Sequence, residues 1–249
     1  KTRAIETGKY FTLNGGKIFS SGAGDTDLLL VFARTGDLGP SGISAFAVDS
    51  KTPGISFGRK EKKMGWNSQP TRSISFDNVR VSKDTMLGKE GEGFKIAMQG
   101  LDGGRINIAA CSIGTAQAAF DQARDFMHER KQFGKTLAEF QGLRFKLADM
   151  NTDLVASRQM VRLAANKLDS DHPDRATYCA MAKRFATDKC FTICDEALQI
   201  FGGIGYIKEY PLERYLRDNR VHRILEGTNE IMRLIISNRI LIENSEAIL

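Results

Sequence analysis

The sequence predicts an α+β protein in which a β-barrel or sandwich domain, residues 1–86, is followed by an antiparallel helical bundle, residues 87–249. Three observations carry that reading. Short apolar runs separated by Gly and Pro turns fill the first part of the chain. From Ile106 onward apolar residues recur instead at alternating steps of three and four. Between the two patterns lies Gly88-Lys89-Glu90-Gly91-Glu92-Gly93, a link rich in glycine and charge.

The β elements follow in order. Tyr10 to Leu13, the dipeptide Asn14-Gly15 and Lys17 to Ser20 read as a hairpin, because Asn-Gly tolerates the positive φ angles of a type I′ turn. Further runs occupy Leu28 to Ala33, Ile43 to Val48, Ile55 to Phe57, and Ser73 to Val81. Gly36, Gly39-Pro40 and Pro53-Gly54 supply the turns. Short strands at this spacing predict a small barrel or sandwich.

Three long apolar stripes follow. The first takes Ala109, Ile113, Ala116, Phe120, Ala123 and Met127. The second takes Leu143, Leu147, Met150, Leu154, Val161, Ala164 and Leu168, and the third Cys179, Ala182, Ala186, Cys190, Ile193, Ala197 and Ile200. The polar stretch from Asp169 to Arg175, with Pro173, separates the last two. Shorter helices are predicted at Pro211 to Leu225 and from Asn229 to about Ala247, the latter capped by Thr228. Long stripes joined by short loops make a bundle.

Composition narrows the classes. The 249 residues are 41% hydrophobic, enough for a sizeable core, and no apolar run approaches a membrane span. Thirty-six basic against thirty acidic residues give a net charge of +6, a mild bias toward anionic partners. Cys111, Cys179, Cys190 and Cys194 form no CxxC pair, which argues against a disulfide framework or a metal site and for a reducing compartment. The start, KTRAIETGKY, has neither an initiator Met nor a signal-peptide core and reads as a cut end.

The stretch from Gln199 to Arg233 concentrates features that packing does not require. Gly202, Gly203 and Gly205 follow directly on an apolar helical run, where glycine backbone can approach a ligand and a helix start can receive a phosphate. Glu226 is the last side chain before a helix-breaking glycine, on a loop between two helix-like segments, and is the candidate base. Taken singly, a Gly-Gly pair is a helix stop and such a Glu is a solvated residue near a helix start. The spaced set is more specific.

Gln199, Gly202-Gly203, Gly205-Tyr206, Glu209, Arg214 and Asp218 together resemble the signature of the acyl-CoA dehydrogenase flavoproteins. Blocks GWNSQPT from Gly65, LDGGR from Leu101 and RKQFG from Arg130 resemble that family in the family's order, so the likeness spans essentially the whole chain. GWNSQPTR, GGRINIA and FSSGAG resemble its branch for short branched-chain substrates of the isobutyryl-CoA type, which implies a place in valine breakdown. The resemblance implies the last two of three domains. On that reading the family's N-terminal helical domain and a flavin-covering loop would precede residue 1, and the given sequence is expected to lack part of the flavin pocket and of the acyl-chain wall.

The implied reaction takes a proton from the α carbon of an acyl-CoA and a hydride from its β carbon to FAD. A weak carbon acid needs a carboxylate base on one face, flavin on the other, and donors at the thioester oxygen. Glu226 matches the family's base, and its backbone N–H would polarise the thioester. Gly227, Asp102, Gly103 and Arg105 match positions beside the substrate. Some members carry the base at the position of Gly104, and a glycine there leaves Glu226 as the family base present. Without the resemblance, Asp102 and Arg105 are an ordinary helix-start Asp and a surface Arg.

The implied cofactor contacts are Phe19 and Ser21 at the flavin ring, with Phe replacing the family's usual Trp. Arg130, Phe133, Gln141, Gln199, Gly202 and Gly203 fall on the ADP portion across a subunit interface, and Thr228 and Glu230 on the base's own side. Without the resemblance Phe19 is a core strand residue. A cofactor shared between subunits makes oligomerisation a requirement, and the resemblance implies a homotetramer; the expected oxidant is electron-transferring flavoprotein, in a mitochondrial matrix or a bacterial cytoplasm. No metal is expected.

Two other readings stand beside this. An acyl-CoA oxidase would pass electrons to oxygen, but such oxidases carry a further C-terminal helical domain, which the end at Leu249 is expected to exclude. Arg214, Arg217, Arg220 and Arg223 suggest a nucleic-acid surface, as in a non-enzymatic relative. A period of three drifts around a helix, however, and Glu213 and Asp218 interleave, which favours a salt-bridged face.

Overall fold

The computed structural model describes residues 2–242, which divide into two compact units, Lys1–Gly100 and Leu101–Leu249. The first is built on one seven-stranded sheet: β1 (Arg3–Thr7), β2 (Tyr10–Ser21), β3 (Leu28–Arg34), β4 (Ile43–Asp49), β5 (Ile55–Phe57), β6 (Thr71–Ser82) and β7 (Met86–Leu87). Their order is β5-β6-β2-β1-β3-β4-β7, antiparallel throughout except where β1 meets β3 through the single parallel pair Arg3 and Arg34. On a flat sheet β2 and β4, three strands apart, would be separated by about 14 Å. Yet Phe11 of β2 and Phe46 of β4 pack edge to face with ring centroids 5.2 Å apart. The sheet therefore curls around one core, lined also by Leu13, Val31, Val48 and Val79, as the barrel or sandwich reading requires.

The predicted hairpin at Asn14-Gly15 is corrected. β2 runs unbroken through both residues, and the tight turn is Gly8-Lys9, flanked by the pair Thr7 and Tyr10, with Gly8 at φ 61°. Asn14-Gly15 instead marks a register shift between β2 and β6, and Asn14 Oδ1 accepts from Asn78 N at 2.8 Å. The dipeptide supplies a positive-φ residue, Gly15 at 126°, which serves a bulge as well as a turn. β1 escaped sequence reading because only Ala4 of its five residues is buried.

The helical unit comprises α1 (Gly93–Glu129), whose first turns belong to the preceding unit, α2 (Gln141–Asp169), α3 (Arg175–Phe201), α4 (Gly203–Tyr206), α5 (Leu212–Arg220) and α6 (Asn229–Ile240). A two-stranded hairpin, β8 (Lys131–Gln132) and β9 (Lys135–Thr136), separates α1 from α2. The first and third stripes are buried at every position named from sequence. In the second, Leu143, Leu147 and Leu168 are partly buried against the same core. Ala116, Ala119, Ala123, Ala182, Ala186 and Ala197 bring helix axes close, and Phe126 stacks on Phe201 with centroids 4.1 Å apart.

Two helix predictions change at their ends. The helix expected over Pro211 to Leu225 stops at Arg220, continues as a 3₁₀ turn over Val221–Arg223, and breaks because Glu226 and Gly227 take left-handed conformations, φ 56° and 88°. Thr228 caps α6 as expected, its side chain accepting from Ile231 N. Beyond Ile242, the expected extension to Ala247 lies outside the described residues.

Candidate active site in the helical unit

Glu226 sits on the short connection between the 3₁₀ turn and α6, half-buried, with its carboxylate over α1. The contact is with Gly104. A Cβ built on Gly104 would stand 2.8 Å from the carboxyl carbon of Glu226 and closer still to Oε2. The carboxylate therefore fills the space that a side chain at position 104 would occupy. At φ 88° any L side chain at position 227 is strained, which favours glycine there; a Cβ would also displace the flexible end of Met232, whose Cε would stand 2.7 Å away.

Asp102 and Arg105 are not a helix-start Asp and a surface Arg. They lie well inside α1, are 8% and 4% exposed, and form a buried ion pair at 2.7 Å. Burial raises the Asp102 carboxyl above its ordinary value, opposed by Arg105 and Arg175. Gly103 is half-buried between them.

The loop rests on polar groups that sequence reading missed. Lys183 of α3 is fully buried, and its Nζ donates to Gly227 O at 2.7 Å and to Asn229 Oδ1 at 2.8 Å. Burial pushes its ammonium down to about 8. Asn229 in turn donates to Thr187 Oγ1 and to Asp188 Oδ1, at 3.0 and 2.9 Å, and Asp188 meets Arg223 and Arg233. On the other side of the loop, His222 Nδ1 lies 2.6 Å from Ser112 Oγ of α1, and burial pushes the imidazole down to about 4. The only sequence signal for Lys183 was a lysine beside the alanines of an otherwise apolar stripe.

The residues assigned to FAD fall into groups. Arg130, Gly202 and Gly203 line one cavity of about 550 Å³ with Phe126, Leu137 and Ile204. Gly202, at φ 62°, closes α3 by donating to Leu198 O and Gln199 O, and Cβ atoms at Gly202 or Gly203 would meet nothing within 4 Å. Gln199 and Gln141 are exposed, Gln141 opening α2. Phe133 is 92% exposed at φ 53°, at the tip of the β8–β9 hairpin, and borders a second, apolar cavity of about 500 Å³. Thr228 and Glu230 lie at the start of α6. The Glu230 carboxyl is held below its usual range by its own backbone N–H and by Thr228.

In the sheet unit, Phe19 is not a core residue. It is 70% exposed at φ 55°, in the register shift between Lys17 and Ser20, with Ser21 exposed at the strand's end. Phe19 is thus an exposed aromatic held in left-handed backbone at a bulge, making no contribution to the sheet's core. Arginines of α5 and the 3₁₀ turn after it are engaged with the protein: Arg217 pairs with Glu213, Arg223 with Asp188, and Arg214 lies over Tyr215. Among the described residues no cluster of His, Cys, Asp and Glu could hold a metal ion, and no helix is long and apolar enough to cross a membrane.

Residues 1–79 match the acyl-CoA dehydrogenase middle domain and residues 91–241 the acyl-CoA dehydrogenase C-terminal domain. The chain belongs to the acyl-CoA dehydrogenase family. Mitochondrial isobutyryl-CoA dehydrogenase of Dictyostelium discoideum is 55% identical over 96% of this chain, and that of Bos taurus 53% identical over 97%. The chain spans 58% of the length of each. The structure of butyryl-CoA dehydrogenase from Megasphaera elsdenii superposes with a TM-score of 0.94 at 44% identity, covering 97% of this chain and 63% of that one.

Proposed function

We propose that this chain carries the base and much of the cofactor framework of an FAD-dependent dehydrogenase for short branched-chain acyl-CoA thioesters, isobutyryl-CoA being the first to test. The observation that carries the reading is the carboxylate of Glu226 standing over the bare backbone of Gly104. One carboxylate is presented on a glycine-lined face, and the alternative base position is occupied by its oxygens.

The residues divide the work. Glu226 takes the α proton, while its backbone N–H donates to the thioester oxygen as negative charge develops there. Gly227 and Gly103 keep the approach to that carboxylate free of side chains. The Asp102–Arg105 pair fixes the wall of α1 beside it. Bound FAD supplies the acceptor for the β hydride. Exposed Phe19 and Ser21 meet its ring, and Thr228 and Glu230 the part of it on the base's own side. Arg130 offers a planar fork to its diphosphate, beside glycine backbone with open space at Gly202 and Gly203. Phe133, Gln141 and Gln199 complete the ADP end. If they meet the cofactor of a neighbouring subunit, the working form is an oligomer, and family membership points to a homotetramer. Electron-transferring flavoprotein is the oxidant, in a mitochondrial matrix or a bacterial cytoplasm.

Glu226→Gln tests the reading. Anaerobic addition of isobutyryl-CoA to the unsubstituted holoenzyme should bleach the flavin band. The variant should keep its flavin and bind the thioester without bleaching. Retained bleaching in E226Q would remove Glu226 from the mechanism, and a flavin that ignores every short acyl-CoA would reject the substrate class.

A further inference from the structure

Lys183 is fully buried on α3, close to Ala182 and Ala186. An ammonium in such a place costs free energy unless its protons are received at good geometry. Its hydrogen bonds go to Gly227 O and Asn229 Oδ1, at 2.7 and 2.8 Å, and neither acceptor is a carboxylate. Asp188, one turn further along the same helix, is instead met by Arg223, Arg233 and Asn229. The ammonium thus serves the backbone of the loop rather than a carboxylate partner.

That backbone is the one that most needs holding. Glu226 and Gly227 are consecutive left-handed residues, at φ 56° and 88°. For Glu this conformation is unfavourable and persists only where the surroundings fix it. Thr228 fixes the downstream side by capping α6. Directly before that cap, turning the peptide between Gly227 and Thr228 would carry the Gly227 carbonyl away from Lys183 and cost the buried ammonium one of its two acceptors. The carboxylate's place over Gly104 depends on that peptide.

We infer that Lys183 is a positioning residue for the proton-transfer step: by clamping the Gly227 carbonyl it holds the Glu226 carboxylate where the substrate's α carbon must come. The inference rests on the reading of Glu226 as the base. It predicts a defect confined to the chemical step. A lysine that merely supports the fold would show its loss in melting temperature and flavin content, with normal chemistry in every molecule that retains flavin.

Lys183→Met keeps the length and removes both hydrogen bonds. In flavin-loaded K183M holoenzyme, anaerobic flavin bleaching by isobutyryl-CoA should slow by about 100-fold, the effect of a base displaced by roughly 1 Å. Affinity for a thioester that cannot be dehydrogenated should hold, and the α-deuterium isotope effect on bleaching should rise. Bleaching at the unsubstituted rate, or a slower rate with an unchanged isotope effect, overturns the proposal. Should K183M load no flavin, Lys183→Leu, which also lacks a donor, is read by the same assay against the same outcomes. Failure of both variants to load assigns Lys183 to the fold alone and also overturns it. E226Q measured in parallel separates the two readings. If E226Q bleaches normally the base itself is misassigned, whereas an inert E226Q beside a normal K183M removes only the role of Lys183.

Discussion

α3 shows two kinds of interior on one helix. Along Cys190, Ile193 and Ala197 it buries small apolar groups against the other long helices. Along Lys183, Thr187 and Asp188 it presents donors and acceptors to the loop carrying Glu226 and to the start of α6. The apolar face gains free energy with area and tolerates small shifts. The polar face gains little net energy per contact but loses much if a partner moves. One face should therefore govern stability, the other geometry.

The sharpest break of that division is a cavity in the apolar face. Leu154 of α2, 1% exposed, packs in the bundle core with Ile193. Leu154→Ala should cost about 2–5 kcal/mol of stability in urea unfolding. The rate of flavin bleaching per bound flavin should stay as it was. A parallel fall in that rate would show that bundle packing and the mount of Glu226 cannot be separated.

The same division explains what could be read in advance. Every residue of the third stripe is buried because a period of 3.6 leaves its mark wherever burial is apolar. Glu226, Gly227 and Gly202 stood out through glycine punctuation, and the structure shows why, since Gly227 and Gly202 have positive φ. Lys183, Asn229 and His222 left no such mark. A buried lysine and a buried histidine look like surface residues in a sequence, and their partners lie 44 and 110 positions away. The Asn14-Gly15 reading failed for a related reason: local chemistry specified a positive φ, and strand pairing decided whether that became a turn or a bulge. Burial of Asp102 and Arg105 was equally hidden, because a pair three residues apart on a helix reads the same on a surface or in a core.

His222, on the 3₁₀ turn that leads to Glu226 and bonded to Ser112 of α1, gives the mount of the loop a pH dependence that the apolar face of α3 lacks. Its folded value is pushed from 6.5 to about 4, so between those values the unfolded chain binds the extra proton and the folded chain does not. Stability then rises with pH through this window: it is lost progressively as pH falls from 6.5 toward 4, by up to about 3 kcal/mol, and is fully present above 6.5. His222→Asn should flatten that part of the stability profile in urea unfolding at stepped pH, while L154A should lower the profile without changing its slope. A profile in H222N as steep as in the parent would move the acid sensitivity to other groups.

The smallest effect sharpens the comparison most, because it touches geometry with hardly any packing. Thr228 Oγ1 accepts from Ile231 N at 3.4 Å, a long bond at the first turn of α6. Thr228→Ala should lower stability by only about 1 kcal/mol, the usual value of a helix cap. Yet the residue directly follows Gly227 and shares with Lys183 the task of fixing the peptide next to the base. If position is what the polar face contributes, T228A should slow flavin bleaching more than the far less stable L154A does, with both compared per bound flavin. If the slowing instead follows lost stability across the two variants, the loop is held by the fold as a whole and the two faces of α3 do the same job.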